Sequence, residues 1–316
     1  MERASVVWMR AAIASVVSAA ILIGVAVIWR SSLALRTAAE QVRSENEFAF
    51  AVHPYVPAPN VGFEVVSSPE IFLQAARFQD HLFIAGPAGL YEYDPGGVRL
   101  RQYSVGSELP SSPLIALAPS VLADSHEPEL LMATADDGIL AFNGRGFRQI
   151  LPAGAEARGI NAILPVASGH LLIGTNKRGV LVYDGKQMSV LHPSLDKVHA
   201  TALAGDEANL WVGTLDRGVI HFHGGQAETF NQEQGLPDAD VQSLAIAGQK
   251  VYVGTISGVA VFEDGGFSRI LAPGIFATAL FATSTDLYVG SEDQGVVVIP
   301  LEGRRPNPNL RPESEL

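Results

Sequence analysis

Six segments of the chain share one pattern of apolar and polar positions. Each begins with an apolar, β-rich run that ends in a small residue, continues through a few polar residues and a Gly, and ends in a second apolar run. The paired runs are 82–86 and 89–94, 130–134 and 138–143, 171–175 and 179–184, 210–214 and 218–223, 251–255 and 258–263, and 287–291 and 295–299. Equivalent positions recur every 36 to 47 residues. A period of this length built from strands predicts a β-propeller in which each repeat forms one blade.

The four strands of a blade can be placed along the fifth repeat. They are predicted at 241–246, 250–254, 259–263 and 267–271. The Asp264-Gly265 pair predicts the last hairpin turn, and Asp184-Gly185 and Asn143-Gly144 predict the same turn in other repeats. The run Val296-Val297-Val298-Ile299 is apolar throughout, as expected for a sheet that neighbouring blades cover on both faces.

The number of repeats sets the fold class. Six second strands and six third strands predict an all-β, six-bladed β-propeller of four-stranded blades. The last repeat has no clear fourth strand, and we expect the segment 47–66 to supply it and so close a propeller over 47–302. A seventh blade would need roughly forty residues, more than this segment offers. Residues 303–316, rich in Pro and Arg, are predicted to be a disordered tail.

A different kind of apolar run lies near the N-terminus. Residues 11–29 contain no charged residue, and a helix of this length would extend about 28 Å, close to the thickness of the bilayer's hydrocarbon core. The sequence therefore predicts one transmembrane helix, preceded by a short tail (1–10) and followed by a juxtamembrane stalk (30–46). A cleaved signal peptide is the alternative, but its apolar region is shorter and Arg30-Ser31-Ser32 is a poor cleavage site.

The flanks of this span favour one orientation. Arginines are nearly balanced on its two sides, but a short tail joined to a large downstream domain favours an N-in, C-out anchor in the inner membrane. The propeller would then lie on the periplasmic or extracytoplasmic side. Small residues at four-residue spacing, Ala11, Ser15 and Ala19, would permit a dimer through the span.

Composition and motifs exclude several function classes. The chain has no cysteine, which excludes disulfides, Cys-ligated zinc and a thiol nucleophile. Its formal net charge is -12, which disfavours nucleic acid as a partner. The sequence contains no Gly-x-Ser-x-Gly elbow, no His-Glu-x-x-His motif and no phosphate-binding Gly-Lys-Ser/Thr loop. We therefore predict no catalytic residue and no cofactor.

The loops between second and third strands contain the candidate binding residues. In a propeller these loops emerge on one face around the central channel, where arginines could hold a small polar ligand by bidentate contacts. The alternative is that short loops are polar because they are solvated. The candidates are Asp136, Asp137, Asn176, Arg178, Asp216, Arg217 and Asp293.

One histidine pair has a spacing that metals can use. His221 and His223 lie on the same face of a strand. The equivalent positions in other repeats are packing or turn residues, and no third ligand accompanies the pair. We therefore predict no metal site here, although a metal centre built from residues of different blades stays open.

Two stretches carry a family resemblance. Leu210-Trp211-Val212-Gly213-Thr214, followed by Gly218, and the linker Gly235-Leu236-Pro237 before an inner strand resemble the two-component-regulator propeller repeat. The resemblance covers about 71–301 and implies an extracytoplasmic, ligand-sensing part of a membrane-bound sensor. The chain departs from that family because it contains no kinase, no second span and no β-sandwich, and because six blades are predicted where seven are common.

These observations lead to one expected function and two alternatives. We expect a membrane-anchored, non-enzymatic, sensor-like module that binds a small polar ligand or an envelope protein. Any signal would pass through a separate partner. The alternatives are a cell-envelope assembly scaffold and a metal-dependent propeller hydrolase or lyase.

Overall fold

The computed structural model describes residues 24, 29, 30, 33, 53–54, 73–122, 127–152 and 158–301. The chain divides into two units, Met1–Ala49 and Phe50–Leu316. In the first unit the four described residues are helical. Among the described residues, no helix has the length and apolar character needed to cross a bilayer. The predicted tail 1–10, most of the span 11–29 and of the stalk 30–46, and the predicted tail 303–316 lie outside the described residues.

The second unit consists of antiparallel sheets that follow one another along the chain. A two-residue strand, β1 (His53–Pro54), precedes them. The first blade contains β2 (Gln74–Phe78), β3 (His81–Gly86), β4 (Gly89–Tyr93) and β5 (Arg99–Ser104). The second contains β6 (Leu114–Val121), β7 (Pro128–Thr134), β8 (Ile139–Phe142) and β9 (Phe147–Leu151). The third contains β10 (Ile160–Pro165), β11 (Leu171–Thr175), β12 (Val180–Tyr183) and β13 (Met188–Val190).

The remaining blades repeat this order. The fourth contains β14 (Ala200–Gly205), β15 (Asn209–Thr214), β16 (Val219–His223) and β17 (Gln226–Phe230). The fifth contains β18 (Val241–Ala247), β19 (Lys250–Thr255), β20 (Gly258–Glu263) and β21 (Gly266–Leu271). The sixth contains β22 (Ala277–Ala282), β23 (Asp286–Ser291) and β24 (Gly295–Pro300). Short 3-10 turns at Pro193–Leu195 and Gln232–Gln234 lead into the fourth and fifth blades.

The sheets form a six-bladed β-propeller, which confirms the predicted fold class. The first strand of each blade contacts the first strand of the next, from β2 through β6, β10, β14 and β18 to β22. The four strands predicted along the fifth repeat coincide with β18 to β21 to within two residues.

Burial on both faces explains the apolar strands. In β15, Leu210 and Val212 point into the core shared with the third blade, whereas Trp211 between them points into the core shared with the fifth. Five such cores separate the consecutive blades from first to sixth. A strand that packs on both sides cannot alternate apolar and polar residues, because neither face meets water.

Neighbouring blades lie close together at the glycine that precedes the end of the second strand. A Cβ placed on Gly213 would lie 2.7 Å from a methyl carbon of Val241 in the next blade. This crowding explains why a small residue recurs at this position.

A buried threonine hydroxyl organises the turn from the second to the third strand. Thr214 is fully buried, and its Oγ1 donates to the carbonyl of Gly218 at 2.6 Å while it accepts from the amide of Arg217 at 3.0 Å. Thr134 and Thr175 make the same two bonds in the second and third blades. The hydroxyl thus gives the amide of Arg217 a partner and adds a second donor to the carbonyl of Gly218, which also accepts from the amide of Thr214 at 3.0 Å.

The predicted hairpin turns are also present. Asp184 Oδ1 accepts from the amides of Lys186 and Gln187 at 2.9 and 2.7 Å, and Asn143 Oδ1 accepts from Arg145 and Gly146 in the same way. These backbone donors hold the pKa of Asp184 below its ordinary value. The short acceptor side chain therefore stabilises the turn in both blades.

The two described residues of the segment 47–66 pair with the second blade. The segment 47–66 was expected to complete the sixth blade, but His53 and Pro54 pair with Gln149 and Arg148 of β9, on the outer edge of the second blade. That edge offers unpaired backbone groups to an added strand. The rest of the segment lies outside the described residues, so a closing fourth strand for the sixth blade stays a prediction.

The sixth blade has three strands within the described part of the chain. One face joins the core with the fifth blade. The opposite face presents Phe281 and Val296, which are 66% and 67% exposed.

The threonine turn yields a stability prediction. Thr214→Val keeps the side-chain shape but removes both hydrogen bonds, leaving the buried carbonyl of Gly218 and amide of Arg217 with one partner fewer. We expect the free energy of unfolding to fall by about 1–3 kcal/mol in urea denaturation. Thr229→Val, at an exposed position of the same blade, is the control and should change it by less than about 0.5 kcal/mol. Equal effects of the two substitutions would contradict this account of the turn.

Candidate functional site

A β-bulge recurs at the start of the inner strands. In the second to sixth blades the pairing with the second strand skips one residue, directly after the first residue of the inner strand. The skipped residues are Ile115, Asn161, Thr201, Gln242 and Thr278. A bulge turns the extra side chain out of the regular pleat. The propeller therefore presents one reoriented side chain from each of these blades at the same end.

Two of the bulge residues also join neighbouring blades. Asn161 Nδ2 donates to the carbonyl of Ala200 at 2.8 Å, and Thr201 Oγ1 donates to the carbonyl of Val241 at 2.6 Å. Ala200 and Val241 are the first residues of the next inner strands. The bulges of the third and fourth blades are thereby fixed relative to the following blade.

A cavity of about 950 Å³ lies over these bulges. Four bulge residues line it, namely Ile115, Asn161, Thr201 and Gln242. Its other lining residues come from the loops and strand ends at the same end of the second, third and fourth blades: Ala135, Asp136, Arg158, Gly159, Ile160, Thr175, Asn176, Lys177, Arg178, His199 and Leu215. Side chains from four consecutive blades therefore converge on one space.

Backbone and side-chain bonds hold the loop of the third blade in place. The amide of Asn176 donates to the carbonyl of Gly159 at 2.8 Å, and Asn176 Oδ1 accepts from Asn161 Nδ2 at 2.7 Å. Gly159 has a φ of +70°, and a Cβ on it would lie 2.7 Å from Asn176 Nδ2. Glycine here lets the segment that enters β10 lie directly against the loop after β11.

The structure brings three of the seven predicted site residues to the cavity. Asp136, Asn176 and Arg178 line it. Asp137 lies beside Asp136, but its carboxylate accepts from the amide of Ser112 at 2.9 Å and so anchors the loop of the second blade.

The other three predicted residues lie outside this cavity. Arg217 occupies the position in the fourth blade that Arg178 occupies in the third, but it is exposed and lies 3.9 Å from the carboxylate of the neighbouring Asp216. Asp293 is in the sixth blade, where its carboxylate accepts from Ser291 Oγ at 2.8 Å. Equivalent positions in the repeat are therefore not equivalent in their relation to the cavity, because the cavity spans only some of the blades.

Sequence reasoning did not identify the bulge residues. A signal was present, since Asn161, Thr201 and Gln242 are polar residues that each follow the first apolar residue of an inner strand. Arg158 and His199 also line the cavity, and they belong to the linkers that enter inner strands. The site residues predicted from the sequence come only from the loops between second and third strands, and so they do not include these two.

The histidine pair lies elsewhere, on the face of the fourth blade that packs against the fifth. The ring of His221 stacks on Trp211, with 4.1 Å between centroids, and lies 4.4 Å from the ring of His223. His221 Nε2 is 2.7 Å from Asn209 Oδ1. Burial is the main cause that lowers the pKa of His221 below its ordinary value, and the neighbouring His223 lowers it further. The carboxylate of Glu228 acts in the opposite direction. No three His, Asp or Glu side chains among the described residues are grouped to hold a metal ion.

Comparisons with known proteins identify the fold. No family model matches the sequence, and no curated protein matches it. Among solved structures, the chain is similar to one named as the extracellular domain of the hybrid two component system BT3049 from B. thetaiotaomicron, with 18% identity and a TM-score of 0.56. The extracellular domain of the hybrid two component system BT4673 from the same organism is also similar, with 14% identity and a TM-score of 0.54.

The extent of these matches sets what they show. The two matches cover 74% and 72% of this chain but only 34% and 32% of the sensor chains, so the chain spans about a third of their length. A virginiamycin B lyase from Staphylococcus aureus is similar to the same degree, with 10% identity, a TM-score of 0.55 and 72% and 83% of the two chains covered. The resemblance to sensor propellers is thereby confirmed at the level of the fold, which the chain shares with proteins of different activities.

The environment of His221 predicts a pH dependence of stability. Because the pKa of His221 is lowered in the folded protein, the unfolded chain takes up the proton first as the pH falls. Protonation of His221 therefore leaves the free energy of unfolding unchanged above about pH 6.5 and lowers it as the pH falls below that value. We expect wild type to lose more stability between about pH 7 and pH 5 than His221→Phe, which retains an aromatic ring beside Trp211. Parallel pH profiles in urea denaturation would contradict the assignment.

Proposed function

We propose that this chain is a non-enzymatic, extracytoplasmic binding module that recognises a small polar ligand in the cavity over the second to fifth blades. A transmembrane helix over 11–29 would hold it to the membrane. The observation that carries the proposal is the convergence of four bulge residues, from four repeats, on one cavity.

The size and lining of the cavity suit a small molecule. A volume of about 950 Å³ is at the upper end of the range usual for small-molecule sites. Its floor combines the apolar side chain of Ile115 with the polar ends of Asn161, Thr201 and Gln242, and such a mixture fixes a ligand's orientation. We favour a small ligand over an assembly partner because side chains from four blades line one recessed space, whereas a protein partner needs a broad contact surface.

The proposed location rests on separate observations. The uncharged run 11–29 has the length of a bilayer span, and two similar structures are extracellular domains of two-component systems. We propose that any signal from this module passes through a separate membrane partner.

Filling the cavity tests the binding site. Leu215 lines the cavity and is 41% exposed, so Leu215→Trp should fold while occupying ligand space. Ile256→Trp is a matched control: Ile256 follows Thr255 as Leu215 follows Thr214, is 37% exposed and does not line the cavity. For any ligand found by thermal shift over a panel of polar metabolites and glycans, we expect Leu215→Trp to weaken binding about tenfold or more and Ile256→Trp to leave it unchanged. A panel without ligands, or equal behaviour of the two variants, would refute the proposed site.

The absence of cysteine permits a clean test of location. Lys186→Cys, at an exposed turn, would be the only thiol in the protein. We expect a membrane-impermeant maleimide to label it in intact spheroplasts as fully as after lysis. Labelling that requires lysis would place the propeller in the cytoplasm.

A further inference from the structure

The charge of the cavity is opposite to that of the protein. Three cationic side chains line it, those of Arg158, Lys177 and Arg178, against one carboxylate, that of Asp136. The whole chain carries a formal net charge of -12. A concave site whose sign opposes that of its surroundings concentrates ligands of the complementary sign.

Hydrogen bonds fix the backbone that bears these cationic side chains. Lys177 and Arg178 belong to the turn held by Thr175, whose hydroxyl accepts from the amide of Arg178 at 3.0 Å. Arg158 precedes Gly159, which lies against the same turn and accepts from the amide of Asn176. Within the described part of the chain, neither Arg158 nor Lys177 forms an ion pair. Their charges are therefore available to a ligand.

The neutral groups beside the cations add direction. Asn161 donates to Asn176 Oδ1 at 2.7 Å and to the carbonyl of Ala200 at 2.8 Å. Because Asn176 Oδ1 is an acceptor in this bond, the amide hydrogens of Asn176 remain as donors. The carboxylate of Asp136 can accept from a hydroxyl of the ligand.

We propose that the ligand is a hydroxylated anion. Its carboxylate or phosphate group contacts Arg158, Lys177 and Arg178, while its hydroxyls contact the carboxylate of Asp136 and the side-chain amide of Asn176. This inference rests on the proposed function and adds the chemical class of the ligand. The acid group sets the charge requirement, and the hydroxyls set the orientation.

Matched pairs of sugars test the charge requirement. The probes are glucuronate, galacturonate and glucose 6-phosphate, each compared with its neutral parent glucose or galactose by isothermal titration of the full-length protein in detergent. We expect at least one anion to bind about tenfold or more tighter than its parent, and its affinity to fall as salt is raised. The uronates and the phosphate distinguish the two sources of negative charge.

Substitutions assign the effect to named cations. Lys177→Ala and Arg158→Ala should each weaken binding of the anion about two- to fivefold, as expected for partly exposed ion pairs. Arg217→Ala is the matched control, because Arg217 occupies the position of Arg178 in the next blade but lies outside the cavity, and it should leave the affinity unchanged.

The outcomes separate this inference from the proposed function. Equal binding of an anion and its parent, both weakened by Leu215→Trp, would overturn the charge requirement and leave the binding site standing. Loss of affinity in Arg217→Ala as large as in Lys177→Ala would overturn the assignment of the cations. Binding by none of the probes would overturn the inference, and the proposed function would then fall only if the wider panel also gave no ligand.

Discussion

Each internal blade must bury both of its faces against its neighbours, and the rest of the molecule follows from this packing. In β15 the alternate residues Leu210 and Trp211 serve different cores, so the strand is apolar throughout although it lies in an antiparallel sheet. Where the blades come closest, only a residue such as Gly213 leaves enough space. The same closeness places one blade's inner strand within hydrogen-bonding reach of the next.

Hydrogen bonds between blades also hold side chains that line the cavity. The bulge at the start of the inner strand allows Asn161 and Thr201 to donate to carbonyls of the following blade, while the buried threonine hydroxyl fixes the adjoining turn. Side chains at this end are thus held by bonds between blades as well as within them. Groups preorganised in this way lose little freedom when a ligand binds.

The sequence was sufficient for the architecture but only partly for the site. The repeated apolar runs predicted the number of blades and the positions of the strands, because packing on both faces imposes the same pattern on every blade. Arg178 and Arg217 occupy the same position in their repeats, yet only Arg178 lines the cavity. The arrangement of whole blades decides which loops surround the cavity, and a single repeat does not contain that information. The bulges were hard to recognise in the sequence. A one-residue shift in strand pairing constrains the residue type only at the skipped position, and the rest of the strand keeps its apolar pattern.

The bulge residues that line the cavity fall into two classes, according to whether they form a hydrogen bond to the next blade. Asn161 and Thr201 tie neighbouring blades together, so their replacement would disturb the ring itself. Ile115 and Gln242 form no bond between blades among the described residues. Substitutions at these two positions would therefore change the chemistry of the cavity lining without breaking a hydrogen bond between blades.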